Sequence, residues 1–172
     1  MAHFYEAIPE RIRALDDAEA VRRYVGGSGV PGEAIAGLSA RQLSARPVPG
    51  TWSIQEIVVH LMDSDVIAAY RMKRIIAEEQ PALDVWDENA FAARLGYENA
   101  SPDEACELFR LNRLVTGRVL ASLPPGAHER AGAHPQVGSL TLGHLVRGYV
   151  HHLDHHMAFL LRKRQMVSAD GG

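Results

Sequence analysis

The sequence is poor in cysteine and contains no long hydrophobic run. Cys106 is the single cysteine among 172 residues, so the chain has no internal disulfide framework, which fits a reducing compartment. No apolar stretch approaches the roughly 20 residues of a membrane-spanning helix, and the N-terminus lacks the apolar core of a signal peptide. These absences predict a cytoplasmic protein without a membrane partner.

Two further absences limit the function and the fold class. The net charge is −3, and the longest basic run is RKR at residues 162–164, so the chain lacks the electrostatic footprint of a nucleic-acid partner. A basic end is in any case what the dipole of a final helix favours. No segment alternates apolar and polar residues as a strand does, and no internal repeat is visible. The composition predicts a globular all-α protein.

Three segments begin with strong helix-start signals. Ser53 and Glu56 match a capping box, in which each side chain accepts a hydrogen bond from the backbone amide of the other residue. Ser101 followed by Pro102 gives a serine cap with proline at the first helical position, and Thr141 caps the last helix. Apolar residues three and four positions apart support each helix. The predicted helices cover residues 53–79, 101–123 and 142–162.

These helices predict a four-helix-bundle-like domain over residues 32–165. Residues 1–31, which end in a glycine-rich turn, are expected to form an N-terminal helical appendage, and residues 166–172 a flexible tail. The long connection over residues 81–99 should contain a short helix. Residues 127–140 are expected to be a loop with exposed His128 and His134. The side chains expected to point inward from the helix at 101–123 are Ala105, Leu108, Leu111, Val115, Val119 and Leu120.

Four of the nine histidines lie in six consecutive positions of the last predicted helix, which read HHLDHH. They form two pairs with a spacing of four residues, and each pair lies on one face, one turn apart. His152 and His156 continue the apolar stripe of the helix and so point toward the core, whereas His151 and His155 lie on a solvated face. Burial and mutual repulsion keep two inward imidazoles neutral, which is the form that binds a metal.

A metal site needs a third ligand from elsewhere in the chain. His60 lies beside the apolar stripe of the helix at 53–79 and is the best candidate, with His144 and His151 as reserve ligands. Asp63 lies within a turn of His60, where it is a general base, a partner that orients the imidazole, or an ordinary surface carboxylate. Cys106 has no histidine near it in sequence and is expected to be a small buried hydrophobic residue.

Four sequence motifs resemble the DinB/YfiT-like family of metal-dependent enzymes. They are GTWSIQE at residues 50–56, HLMD at 60–63, VWDENAFA at 85–92 and HLDHH at 152–156. The resemblance implies a four-helix bundle, a homodimer and one divalent metal ion, zinc or nickel, held by His60, His152 and His156. It further implies a low-molecular-weight thiol as co-substrate, because related enzymes activate such thiols for S-transfer or isomerisation. The branch that shares the connector motif is linked to hydrolysis.

Three functions fit a three-histidine site. In a thiol S-transferase the thiol loses its proton at the metal and attacks an electrophilic small-molecule substrate. In a hydrolase a water molecule takes its place, with Asp63 as the candidate base. In a non-catalytic bundle the metal only joins two helices, and such structural sites normally have four protein ligands. Dependence on an added thiol separates the first two functions, and a fourth protein ligand would indicate the third.

Overall fold

The computed structural model describes residues 7–169. The helices are α1 (Glu10–Arg13), α2 (Asp17–Gly26), α3 (Val30–Ile35), α4 (Ala40–Ser44), α5 (Ile54–Ala77), α6 (Glu88–Arg94), α7 (Pro102–Ala121) and α8 (Leu142–Ala169). Strands β1 (Ala131–His134) and β2 (Gly138–Thr141) form an antiparallel hairpin, and short 3₁₀ turns cover Tyr97–Asn99 and Ala127–Glu129. Within the described part of the chain, none of the helices has the length and apolarity to cross a bilayer.

The core is a bundle of the four helices α2, α5, α7 and α8. Helices α2 and α5 each pack against both α7 and α8. The predicted all-α four-helix bundle is therefore confirmed. The apolar stripe of α5 is buried along the whole helix, as its spacing predicts. Its buried members include Ile54, Ile57, Leu61, Ala68 and Ile75.

The predicted helix starts form as the sequence indicates. The Ser53 hydroxyl accepts from the Glu56 amide at 3.2 Å, and the Glu56 carboxylate accepts from the Ser53 amide at 2.6 Å. Ser101 accepts from the Glu104 amide at 3.3 Å, and Thr141 caps α8 through a 3.1 Å bond from the amide of the third helical residue. These bonds satisfy amides that a helix leaves without an internal partner.

The N-terminal segment packs into the bundle instead of standing apart from it. Ile8, Ile12 and Tyr24, which the sequence analysis placed in an appendage, are almost fully buried in the core. Asp16 accepts from the Glu19 amide at 2.7 Å, and this cap starts α2 as a new helix after the short α1. At the other end, α8 continues through residues 166–169 of the predicted tail. Residues 1–6 and 170–172 lie outside the described part.

Of the residues predicted to point inward from α7, Ala105 and Leu120 are buried, but the middle of the predicted face is wrong. Leu108, Leu111 and Val115 are 44–48% exposed. The buried face carries Phe109 and Arg113 instead, because the Arg113 guanidinium pairs with a carboxylate of α5 and draws that face inward. A stripe of three exposed apolar side chains therefore runs along the outer surface of α7.

Residues 127–140, predicted to be a loop, contain the β1–β2 hairpin. His134 is only 2% exposed, which contradicts its predicted exposure, and His128 is partly buried. Residues 81–83 bind the hairpin through two backbone hydrogen bonds. Leu83 donates to the Ala133 carbonyl at 2.8 Å, and Ala133 donates to the Pro81 carbonyl at 2.8 Å. The strands have only four residues each and depend on this tertiary pairing, so their sequence alone shows no strand pattern.

Candidate metal centre

His60 of α5 and the pair His152 and His156 of α8 meet in the interior of the bundle. The Nε2 atoms of His60 and His152 are 3.2 Å apart, and the ring centroid of His156 lies 4.6 Å from that of His60 and 4.5 Å from that of His152. One ring nitrogen from each histidine lies within 4.8 Å of the others. The structure thus brings together the three histidines that the sequence analysis selected.

The remaining histidines of α8 lie elsewhere. His151 is partly exposed and His155 exposed, as their predicted face requires. Neither they nor the reserve candidate His144 joins a cluster of three potential ligands within the described residues. The helical phase read from the apolar stripe therefore separates the inward pair from the outward pair correctly.

Burial keeps all three clustered imidazoles neutral. Loss of hydration lowers the pKa of His60 to about 4. The same desolvation, together with the charges of His60 and His155, lowers the pKa of His156 to about 3. Desolvation and the neighbouring His156 and His60 also lower the pKa of His152. At neutral pH each ring has an unprotonated nitrogen, so no proton competes with a metal ion.

The arrangement fits a divalent metal. Imidazole nitrogens that bind zinc lie 2.0–2.1 Å from it, which places two ligand atoms of a tetrahedral site about 3.3 Å apart. The distance between the Nε2 atoms of His60 and His152 is 3.2 Å. Within the described residues the cluster contains no fourth histidine, cysteine or carboxylate. Three protein ligands are typical of catalytic sites, whereas structural zinc sites are closed by four.

Two tryptophans hold the His60 ring in place. The ring centroid of Trp52 lies 4.8 Å from that of His60, and Trp86 stacks on the same imidazole with a centroid distance of 5.8 Å and an interplanar angle of 18°. Among residues 7–169, the buried Nδ1 atom of His60 has no hydrogen-bond partner. The ring is therefore oriented by packing and not by the carboxylate or carbonyl that usually fixes a ligating histidine. Both tryptophans lie in the family-like motifs, but only the tertiary structure shows what they contact.

Asp63 lies three residues after His60 on α5 and is held by a tyrosine. The Tyr97 hydroxyl donates to the Asp63 carboxylate at 2.6 Å, and burial and this bond raise the pKa of the Tyr97 phenol. Glu88 at the start of α6 is half-buried, and burial raises the pKa of its carboxyl. The sequence analysis did not select Tyr97 or Glu88, because they lie in a connecting segment whose path the sequence pattern does not determine.

Cys106 does not serve this centre. It is partly buried on α7, and burial raises the pKa of its thiol to about 12. The thiol is therefore protonated at neutral pH, whereas a nucleophilic cysteine needs a lowered pKa. This agrees with the sequence-based interpretation of Cys106 as a small hydrophobic residue.

A cleft of about 440 Å³ opens beside His156, and this volume is within the range of small-molecule sites. Its apolar walls include Trp52, Ile57 and Phe159. Phe159 follows the inward histidines along the same stripe of α8, yet it is 49% exposed because it faces this cleft and not the core. The cluster thus adjoins a space that a small molecule can enter.

We expect the metal-free protein to lose stability as the pH falls from about 6.5 toward 4. Histidines of the unfolded chain protonate near pH 6.5, whereas the pKa of folded His60 is about 4. Between these values the unfolded state binds the extra proton, so the free energy of unfolding decreases as the pH falls. Urea unfolding at pH 7 and pH 4.5 measures this loss, which should be about 2 kcal/mol larger in wild type than in His60→Gln.

The control for this acid sensitivity is His155→Gln, which changes an exposed histidine of α8. Its pH dependence should stay much closer to wild type than that of His60→Gln, because folding removes the hydration of the buried His60 imidazole. Equal losses in wild type and His60→Gln would contradict the expected result.

Comparisons with known proteins identify the family. The model of the DinB superfamily matches residues 32–160. A protein of Oceanobacillus iheyensis named "Putative metal-dependent hydrolase OB0782" is 30% identical over 123 residues, which cover 72% of this chain and 71% of that protein. "Putative metal-dependent hydrolase YfiT" of Bacillus subtilis is 27% identical over 129 residues, or 74% of this chain and 72% of that protein.

The fold comparison agrees with the sequence comparison. The solved structure of YfiT from Bacillus subtilis, described as "a probable metal-dependent hydrolase with an unusual four-helix bundle topology", superposes with a TM-score of 0.82. The superposition covers 94% of this chain and 91% of that chain at 24% identity, a level at which the likeness shows the fold. From the matched family model and the identity to the Oceanobacillus protein, the chain belongs to the DinB superfamily.

Proposed function

We propose that the protein is a metal-dependent hydrolase whose divalent ion is held by His60, His152 and His156. The observation that carries this proposal is the position of three neutral, inward imidazoles beside a cleft of about 440 Å³. The chemistry that such an ion supplies is activation of water, whose pKa falls to about 7 at a catalytic zinc. Zinc or nickel is proposed because three imidazoles suit both metals and the family resemblance implies them.

The hydrolase proposal is preferred to the thiol S-transferase implied by the resemblance. The relatives compared above are named as metal-dependent hydrolases, and none of those names mentions a thiol. Hydrolysis also needs a general base, and the Asp63 carboxylate, within a turn of His60 on α5, is the candidate.

Asp63 is proposed as the general base. Its carboxylate is positioned by the Tyr97 hydroxyl, which leaves the second carboxylate oxygen for a water molecule or substrate. An anchored carboxylate reaches its partner with less loss of rotational freedom than a mobile one. Tyr97 is thus a positioning residue that acts through Asp63.

The test of the function compares metal-loaded protein, chelator-treated protein and protein to which zinc or nickel has been restored. Each form is assayed with activated esters and amides, with and without a low-molecular-weight thiol. We expect hydrolysis that chelation removes, metal restores and the thiol does not affect. Turnover that requires the thiol would replace the hydrolase by the transferase. A metal-loaded protein that is inactive in both assays would overturn the proposal.

We expect Asp63→Asn to lower kcat of the metal-loaded protein by about 10²- to 10⁴-fold, which is the usual contribution of a general base. The amide keeps the size of the carboxylate and its hydrogen bond to Tyr97 but takes up no proton. Tyr97→Phe should lower kcat by a smaller factor. Steady-state kinetics with elemental analysis measures both variants, and the metal content should remain near wild type.

Glu88→Gln is the matched control for this loss, because it neutralises the second carboxylate near Tyr97. Activity that survives Asp63→Asn but is lost in Glu88→Gln would assign the base to Glu88.

We also propose the homodimer that the resemblance implies. The exposed apolar stripe of Leu108, Leu111 and Val115 on α7 supports it, since side chains at positions i, i+3 and i+7 present one continuous face to a second copy.

A further inference from the structure

The cleft beside the metal centre has a cation at its far end. Lys163 lies seven residues after His156 on α8, two turns and about 10 Å along the same face of the helix, and both residues line the cleft. Exposed Arg162 lines it as well. The walls between these ends are largely apolar. The cleft therefore joins a metal centre at one end to positive charge at the other.

Lys163 is an unusual lysine because it is only 5% exposed. Its ammonium donates to the Thr51 hydroxyl at 2.5 Å, and no carboxylate of the described residues lies within ion-pair distance of it. Glu56 is the nearby acidic group, but its carboxylate oxygens accept from Arg46 at 2.7 Å and from the Ser53 amide at 2.6 Å. An ammonium has three donors, so Lys163 can still donate to a ligand.

Burial of this cation carries a cost. Desolvation lowers the pKa of Lys163, which shows that its surroundings disfavour the charge. A buried ammonium beside a small-molecule cleft is stabilised when an anion enters, and a carboxylate or similar group gains a charge-assisted hydrogen bond. A purely structural lysine would be expected to reach solvent or a carboxylate of the chain.

We propose that the substrate carries a carboxylate that Lys163 binds, and an apolar body that spans the distance to the metal centre. This inference rests on the proposed function and specifies its substrate class: ω-carboxylated esters or amides with a hydrocarbon or aromatic body. Trp52 and Phe159 contact the body, and Lys163 holds the charged end. The reacting carbonyl then lies beside His156. Lys163 is thus a specificity-determining residue and takes no part in bond cleavage.

The first experiment measures binding, so that it does not depend on turnover. The probes are suberanilic acid, which has an apolar chain between an anilide and a carboxylate, and its uncharged primary amide. Isothermal titration and quenching of tryptophan fluorescence give Kd for metal-free and zinc-loaded protein. We expect the acid to bind at least tenfold more tightly than the amide. Equal affinities, or no binding of either probe, would overturn the inference.

Variants locate the charge preference. Lys163→Met should remove the tenfold difference between the two probes, whereas Lys163→Arg should keep it. Lys73→Met, which removes the chain's other and exposed lysine, is the matched control and should behave as wild type. If Lys163→Met does not fold, the wild-type preference and its survival in Lys163→Arg still decide the outcome. A preference that persists in folded Lys163→Met would contradict the assignment to Lys163.

A second experiment separates failure of this inference from failure of the proposed function. The mono-4-nitrophenyl ester of suberic acid and its methyl-capped, uncharged counterpart differ only in charge. Preferential hydrolysis of the acid, lost in Lys163→Met, would support both proposals. Equal hydrolysis of the two esters would overturn the substrate class and leave the hydrolase intact. Charge-selective binding without any hydrolysis would support Lys163 as the anion site and refute the hydrolase.

Discussion

Replacement of any one of His60, His152 and His156 by alanine is expected to reduce the metal content from about one ion per chain to nearly none. A three-ligand site that loses one imidazole keeps only two protein ligands, fewer than structural or catalytic zinc sites use. Because the imidazoles come from α5 and α8, a bound ion would also join two helices that are distant in sequence. Elemental analysis after purification without a metal-binding tag, followed by dialysis against zinc or nickel, measures the loss.

The same samples give an independent thermodynamic readout. A ligand that binds only the folded state stabilises it by about 2.7 kcal/mol at a free concentration one hundred times Kd. Wild type should therefore show a higher Tm with added metal, and the three variants should not. His151→Ala and His155→Ala, which change the outward pair of the same helix, should keep both the metal and the shift in Tm. A wild type that stays empty after metal is added would remove the basis of the hydrolase proposal.

The histidine cluster could be predicted because most of its geometry is local. The spacing of four residues puts His152 and His156 on one face of any helix, and the surrounding apolar stripe decides which face is inward. The capping box at Ser53 fixes where α5 begins and so the phase at which His60 occurs. The position of His60 beside the apolar stripe of α5 made it the best candidate third ligand, and the family resemblance implies the same three histidines.

The errors have a common physical cause. In the middle of α7 the inward face contains Arg113 and Thr116, and a rule that places hydrophobic residues inside selects the neighbouring apolar face instead. At the hairpin, His134 is buried by strands that exist only because residues 81–83 pair with them. The run RKR predicts a solvated basic helix end, whereas Lys163 within it is nearly buried. In each case a polar group is buried through a tertiary contact, which sequence periodicity does not reveal.

The largest expected effect on stability comes from replacing Arg113, the buried arginine on the inward face of α7. Arg113 is fully buried, and its Nε donates to the Asp65 carboxylate at 3.0 Å. Its other nitrogens donate to the backbone carbonyls of Tyr24 at 3.2 Å and Tyr149 at 2.9 Å, and its guanidinium stacks 4.5 Å from the ring centroid of Phe109. This one side chain therefore joins α7 to α2, α5 and α8, and its loss affects all four bundle helices.

We expect Arg113→Met to lower the free energy of unfolding by about 3–5 kcal/mol, because it leaves the Asp65 carboxylate buried without its countercharge. Desolvation already raises the pKa of Asp65 against the opposing effect of Arg113, so removal of the guanidinium should raise that pKa further. Urea unfolding measures the loss. It should be smaller at pH 5 than at pH 8, since protonation of Asp65 removes the uncompensated charge.

Two controls distinguish the loss of a charge partner from a simple packing defect. Arg110→Met removes the exposed arginine that pairs with Glu107 at 2.8 Å, and it should cost no more than about 1 kcal/mol. The double variant Arg113→Met/Asp65→Leu removes both buried charges and should recover most of the stability, because apolar replacements of a buried ion pair are often neutral or stabilising. A double variant as unstable as Arg113→Met would show that the hydrogen bonds of Arg113 to α2 and α8, and not its pairing with Asp65, hold the bundle together.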